Sequence, residues 1–331
     1  MKALRIVEAG KLEIVEVSKP ELEAGKALVK INAAALNRRD QWIREGKYPN
    51  IQMHTTLGSD GAGEVVEVSS DKDNNWIGKK VVINPNLNWG DNPLYQSKEY
   101  SVLGMPGHGT FAEYIAVDID RLAEQPGHLN DTQAAALPLG GLTAFRAVMK
   151  QGNLQANQKI LISGFGGGVA QFAFQFAMAI GADVYVTSGS NDKLETAVEM
   201  GAKGGFNYKL DHWHKDALKA TGGFDVIIDS AGGDQVNTLI KITKPAGKMV
   251  FYGATNGAPA NLDMFRMFWN QITLQGTTMG NDEEFVEMIE FVNQHKLVPI
   301  VDTVRTFEHA IDAFDQMATG NRIGKLVVRM H

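Results

Sequence analysis

The chain has 331 residues, 44% of them hydrophobic, and a formal net charge of −6. That length exceeds what one hydrophobic core usually fills, so two domains are expected, and the acidic balance gives no reason to expect nucleic acid or an anionic membrane as a partner. The absence of cysteine removes disulfides, thiolate nucleophiles and every cysteine-containing zinc site, and it suits a reducing, cytoplasmic setting.

The opening "MKALRIVEAGKLEIVEV" lacks the apolar run of a signal peptide and alternates apolar and polar residues across Gly10, as a hairpin does. "KALVKINAAAL", "GAGEVVEVSS" and "KKVVINP" continue the strand pattern, which predicts a mostly β domain over 1–122. From Asp131, the candidate N-cap, "DTQAAALPLGGLTAFRAVMKQG" takes a helical period on both sides of Pro138. Strands and helices then alternate through "KILISG", "VAQFAFQFAMAIGA", "DVYVTSG", "NDKLETAVEMGA", "FDVIIDSAGG", "KMVFYGATNG" and "QITLQGTTMG". This series predicts a doubly wound parallel sheet over 123–280, an α/β arrangement with helices on both faces. The most apolar stretch, 169–186, is broken by Gln171, Gln175, Gly181 and Asp183, so no membrane span is expected. The tail over 281–331 does not continue the alternation and is assigned back to the first domain.

Between the strand "KILI" and its helix lies "SGFGGGVA". Gly164, Gly167 and Ala170 fall at the spacing of a dinucleotide turn. One position serves the tight turn, one the approach of backbone to a pyrophosphate, and a small third residue close helix–strand packing. Gly164, Gly166, Gly167, Gly168 and Val169 are therefore candidate cofactor contacts. In such folds an acidic residue about 20 positions further on takes the ribose hydroxyls of NAD. Here the second strand ends in Thr187, Ser188 and Ser190, with Lys193 nearby and no carboxylate at the tip. Hydroxyls and a cation suit a 2′-phosphate, so NADPH is expected over NADH. The alternative is that Ser190 only caps the next helix.

Several segments together resemble the medium-chain dehydrogenase/reductase superfamily, and especially its zinc-free, quinone oxidoreductase-like branch. They include "AALNRRDQWIREGKYP", "LGSDGAGEVVEV", "GTFAEYIAV", "AAALPLGGLTAFRAV", "SGFGGGVAQFAFQFA", "GFNY" and "GKLVVRM". The resemblance implies a GroES-like catalytic domain built from both termini and an inserted Rossmann domain. It also implies a homodimer joined through the last Rossmann strand, here "TLQGTT". In the zinc enzymes of the superfamily, ligands stand at the positions of Asn37, Ser59 and Leu139, with a glutamate at Asp60. Asparagine, serine and leucine do not make a zinc site, so no metal is expected. His212 and His214, two residues apart around Trp213, are expected at the surface.

Without a Lewis acid, alcohol oxidation loses its usual driving device, whereas reduction of an activated double bond needs only a hydride, an oxyanion donor and a proton. The expected activity is NADPH-dependent reduction of a quinone or α,β-unsaturated carbonyl. The alternatives are a metal-free alcohol dehydrogenase and a non-catalytic NADPH-binding or sensing protein. Asn37 is expected to donate to the substrate carbonyl. Asp40 either relays a proton or serves as a helix N-terminal charge, and Tyr48 is a candidate donor or packs beside Pro49. Trp89, Phe268 and Trp269 are expected either to line an apolar pocket or to sit in a core. The resemblance adds cofactor contacts at Thr143, Tyr208, Ser230, Gly253, Asn321 and Lys325. The segment 84–106 has no readable code.

Overall fold

The computed structural model describes residues 1–331 and divides into two compact units, Met1–Leu142 with Gly280–His331, and Thr143–Met279. The boundary falls later than the sequence pattern placed it. The segment 123–142 joins the first unit because the helix Asp131–Ala136 packs its buried alanines on the strands Lys26–Ala35 and Asp60–Val68. The N-cap of that helix is Asn130 rather than Asp131. The Asn130 side chain accepts from the Gln133 amide at 2.9 Å, and Gln133 reaches back to the Asn130 amide at 3.0 Å. Asp131 instead accepts from Lys80 at 3.0 Å and from Asn32 at 3.1 Å.

In the first unit, the hairpin Lys2–Glu8 and Lys11–Glu16 turns at Gly10, whose φ of 84° favours glycine. The main sheet is centred on the ten-residue strand Lys26–Ala35. Its order is Val301–Thr306, Lys325–Arg329, Lys26–Ala35, Asp60–Val68, Lys80–Ile83 and Leu122–Glu124, with Tyr114–Asp118 also paired to Lys26–Ala35. The C-terminal strand runs antiparallel to Lys26–Ala35, with Val328 opposite Ala34, and so returns the tail to the first domain's core. Leu4, Ile6, Val29, Ile31, Leu57, Phe111 and Phe314 fill that core, and the two phenylalanine rings lie 5.9 Å apart. Burying such side chains supplies about 1.5–3 kcal/mol apiece.

The second unit is a six-stranded, wholly parallel sheet. Numbered in chain order within the unit, its strands lie 3-2-1-4-5-6: Gly204–Asn207, Asp183–Ser188, Lys159–Ile162, Phe224–Asp229, Thr243–Phe251, Thr273–Gly276. This is the doubly wound order of dinucleotide-binding domains, with the order reversing beside the first strand. Ile160, Leu161 and Ile162 are fully buried, as a strand covered on both faces requires. The helix Gly168–Ile180 ends at Gly181, which adopts φ 85°. His212 is exposed and His214 partly so, flanking the buried Trp213. No helix is long and apolar enough to cross a membrane.

Candidate functional site

In the first unit, the short helix Arg38–Arg44 starts at Asn37 directly after the central strand. Asp60 opens the neighbouring strand, and Lys325 opens the C-terminal one. Adjacent strands therefore bring three sequence-distant side chains together, all of them buried. The Lys325 ammonium donates to Asn37 Oδ1 at 2.6 Å and to Asp60 Oδ2 at 2.8 Å, and Asn37 Nδ2 donates to the same Asp60 oxygen at 2.9 Å. The other Asp60 oxygen accepts from the Leu139 amide at 2.8 Å. Lys325 thus belongs with Asn37 in the first unit's polar cluster, apart from the exposed Asn321 with which the resemblance grouped it. One Asn37 amide hydrogen, expected to reach a substrate carbonyl, is committed to Asp60.

Asp40 is fully buried. One of its oxygens accepts from the Asn37 amide at 2.7 Å, and the other has no partner. Burial pushes its carboxyl up to about 6, against the opposing pull of the Arg39 charge and the Asn37 bond. It acts as the N-terminal carboxylate of its helix, with one unsatisfied oxygen.

Arg39, one residue earlier, is also buried. It bonds Ser59 Oγ at 2.5 Å and lies beside Tyr48, whose hydroxyl accepts from Arg39 Nε at 3.3 Å. Nothing in the pair "RR" distinguishes the inward-facing arginine. The signal available was helical spacing, since Arg39 and Ile43 lie four residues apart on the buried face.

These residues do not suit a zinc ion. The three positions that the resemblance assigns to ligands offer an amide, a hydroxyl and an aliphatic side chain, and the first two already bond an ammonium and a guanidinium. A metal there would have to displace the Lys325 ammonium and the Arg39 guanidinium from their partners.

In the second unit, Gly164 takes φ 68° with open space where a Cβ would stand, and its carbonyl accepts from the Gly167 amide at 3.0 Å. Gly167 precedes the helix without a side-chain cap, so the amides of Gly168, Val169 and Ala170 keep the orphan donors of a helix start. Gly166, Gly167 and Gly168 are all partly exposed. A pyrophosphate fits this cradle.

At the end of the second strand, a Cβ on Gly189 would lie 2.8 Å from both the Tyr208 hydroxyl and Lys209 Cε, so a side chain there would have to displace the ends of both. Ser190 occupies the N-cap position of the helix Asn191–Glu199, but its side chain makes no capping bond. Its amide donates to Ser188 Oγ at 3.2 Å. Lys193 lies in the same helix, half-buried. Lys209, which no sequence motif singles out, directly follows Tyr208 and lies at the same strand end.

Gly253 is packed against the Ser230 carbonyl, 3.2 Å from where its Cβ would stand, and that carbonyl also accepts from Thr255. Thr143 is buried, with its hydroxyl on Met279 Sδ at 3.6 Å. Behind the loop, Ser163 donates to Asp229, which accepts from the Gly232 amide at 2.9 Å.

The three aromatics do not form one pocket. Trp89 is buried edge-on to Tyr100, and its indole donates to the Asn92 carbonyl at 3.0 Å. Phe268 and Trp269 are 63% and 71% exposed on the helix Met264–Trp269, where Phe265 stacks on Trp269. That six-residue helix leaves its aromatic face outward. The segment 84–106 is organised around Asn86, which accepts from Tyr100 at 2.8 Å and from Arg121 at 2.9 Å.

Residues 23–127 match the alcohol dehydrogenase GroES-like domain, and residues 168–294 match the zinc-binding dehydrogenase family. A protein of Leptosphaeria maculans, zinc-type alcohol dehydrogenase-like protein YogA, is 38% identical, covering 96% of this chain and 94% of its own. A 2-methylene-furan-3-one reductase of Solanum lycopersicum is 29% identical over 99% of this chain and 79% of its own. The crystal structure of an NAD-dependent alcohol dehydrogenase matches with a TM-score of 0.93 at 31% identity, each chain covered in full. With both domain families matched and a relative this similar over nearly the whole length, the chain belongs to the medium-chain dehydrogenase/reductase superfamily.

Proposed function

We propose that this oxidoreductase uses NADPH to reduce an α,β-unsaturated carbonyl or a quinone, without a metal. The observation that carries the proposal is the pair of organic cations, Lys325 and Arg39, bonded to Asn37 and Ser59. Those positions offer no donor set that would hold a divalent Lewis acid to form an alkoxide, whereas hydride addition to an activated double bond needs only an oxyanion donor and a proton. When bound, the reduced nicotinamide supplies the hydride, which adds to the β-carbon and leaves the double-bond electrons as an enolate on the substrate.

The chain's own residues hold the cofactor and manage the proton. Gly164, Gly166, Gly167, Gly168 and Val169 offer backbone amides to the pyrophosphate. Ser188, Ser190, Lys193 and Tyr208, joined by Lys209, surround the strand end where a 2′-phosphate would lie. Thr143, Ser230, Gly253 and Asn321 complete the proposed contacts. Tyr48 is the proton donor. Its oxygen accepts from Arg39, and its own hydrogen is engaged by no protein acceptor, which leaves it available to a substrate. The tomato relative's name, a reductase of an unsaturated ketone, agrees with this reading.

A second reading, alcohol dehydrogenase, follows the names of other relatives. Steady-state assays separate the two. NADPH consumption with 1-octen-3-one or a small quinone should exceed NADP⁺ reduction by the matching alcohols. The opposite ratio would favour the second reading, and tight NADPH binding with neither activity would favour a sensing role.

The partner we propose is a second copy of the chain, in a cytoplasmic homodimer. The strand Thr273–Gly276 ends its sheet with one side unpaired, and beside it in sequence stands the exposed aromatic helix Met264–Trp269.

A further inference from the structure

Arg39 brings a formal charge into the interior with no carboxylate within ion-pair distance, and all five of its N–H donors are committed. Nε donates to the Tyr48 hydroxyl at 3.3 Å. One terminal nitrogen serves Ser59 Oγ at 2.5 Å and the Leu103 carbonyl at 2.8 Å, and the other serves the Val102 and Met105 carbonyls, each at 3.3 Å. A saturated guanidinium cannot donate to a substrate as well. Its carbon also lies 4.9 Å from the centroid of the Tyr48 ring. Of its bonded partners, the carbonyls are inert to proton transfer and Ser59 passes its own hydrogen to the Leu103 carbonyl at 2.8 Å, so Tyr48 is the one that can pass a proton to a substrate.

We infer that Arg39 is the positioning residue for proton transfer by Tyr48. The inference rests on Tyr48 being the donor. The guanidinium occupies a lone pair of the phenol oxygen and a position over its ring, which turns the O–H away from the protein. In the step itself the Tyr48 O–H bond breaks, its electron pair stays on oxygen, and the proton forms the new C–H bond at the α-carbon of the enolate. Water later returns a proton to the phenolate. The fixed charge of Arg39 offsets the phenolate's charge in a site that offers Tyr48 no other cation at bonding distance. Three backbone carbonyls hold the guanidinium in place, so the segment 102–105 supports the donor from behind.

The test is a double-mutant cycle on Arg39 and Tyr48, with enone reduction and its solvent deuterium isotope effect as kinetic readouts. Calorimetric binding of cyclohexanone to the NADP⁺-loaded protein serves as a readout that needs no turnover. Tyr48→Phe should lower kcat by roughly 10²-fold, the size of a lost general acid. Arg39→Gln should lower it by about 10-fold or more with KM nearly unchanged and a larger isotope effect, and the double variant should lose no more than Tyr48→Phe alone. Cyclohexanone affinity, like KM, should stay nearly unchanged in Arg39→Gln.

Should Arg39→Gln fail to fold, Arg39→Lys carries the cycle, since it keeps the charge with three donors in place of five. Losses in kcat that multiply in the double variant, or weakened cyclohexanone binding in Arg39→Gln, would mean that Arg39 only props up the segment 102–105 and would overturn the inference. A fully active Tyr48→Phe would instead overturn the donor assignment on which it stands, a result that the single variant reports by itself.

Discussion

Asp40 and Lys325 show how differently two buried charges behave. Asp40 sits at about 6 in the folded chain and at an ordinary 3.8 when exposed, so the folded state holds its proton where the unfolded state has released it. The stability it contributes is fully present below 3.8 and is lost as pH rises through about 6. The difference is worth about 3 kcal/mol. Urea unfolding of Asp40→Asn across pH 4 to 7 should therefore gain on wild type as pH rises, and a constant difference would refute the assignment. Lys325 instead neutralises a fully buried Asp60. Lys325→Met should cost about 3–5 kcal/mol by stranding that carboxylate, and adding Asp60→Asn should restore most of it. Urea midpoints of the three proteins measure this. Such residues are poorly legible in sequence. Asn37 was singled out by its place in a motif, but Lys325 comes 288 residues later, and only strand pairing brings its ammonium to the Asn37 carbonyl.

Elements were more legible where a local rule fixes them. The glycine loop was readable because an apolar strand, clustered glycines and an apolar helix must follow in that order to form the turn, and the structure has Gly164 at positive φ. The helix cap was misplaced by one residue because asparagine and aspartate are equally good caps, and only Asn130 has the partner at Gln133. Two predictions belong at this scale. Lys193→Ala should weaken NADPH binding by about 10-fold or more and leave NADH nearly unchanged, as loss of a charge-assisted bond to phosphate would do. Fluorescence titration with both nucleotides measures it, and equal losses would remove Lys193 from the phosphate site. In the proposed homodimer, Phe268→Glu, on a face that is 63% exposed in the single chain, should halve the mass in light scattering to 36.1 kDa. An unchanged dimer mass would place the contact elsewhere, and a wild-type mass of 36.1 kDa would contradict the dimer itself.

For the whole molecule, composition and period indicated two domains and an α/β class, but the boundary near residue 142 depends on which sheet the alanine-rich helix covers, and the sequence pattern does not encode that. The order of the parallel sheet follows from general rules of connection, and the chemistry depends on what stands where a metal would. With Lys325 and Arg39 bonded at those positions, hydride delivery to the β-carbon of an unsaturated carbonyl rather than to a metal-held carbonyl carbon is the central claim. The most direct measurement is to reduce 1-octen-3-one with NADPH carrying deuterium at C4 and locate the label by mass spectrometry. The account predicts 3-octanone labelled at the β-carbon. Deuterium at the carbinol carbon of an allylic alcohol would contradict it and assign the protein to carbonyl–alcohol interconversion.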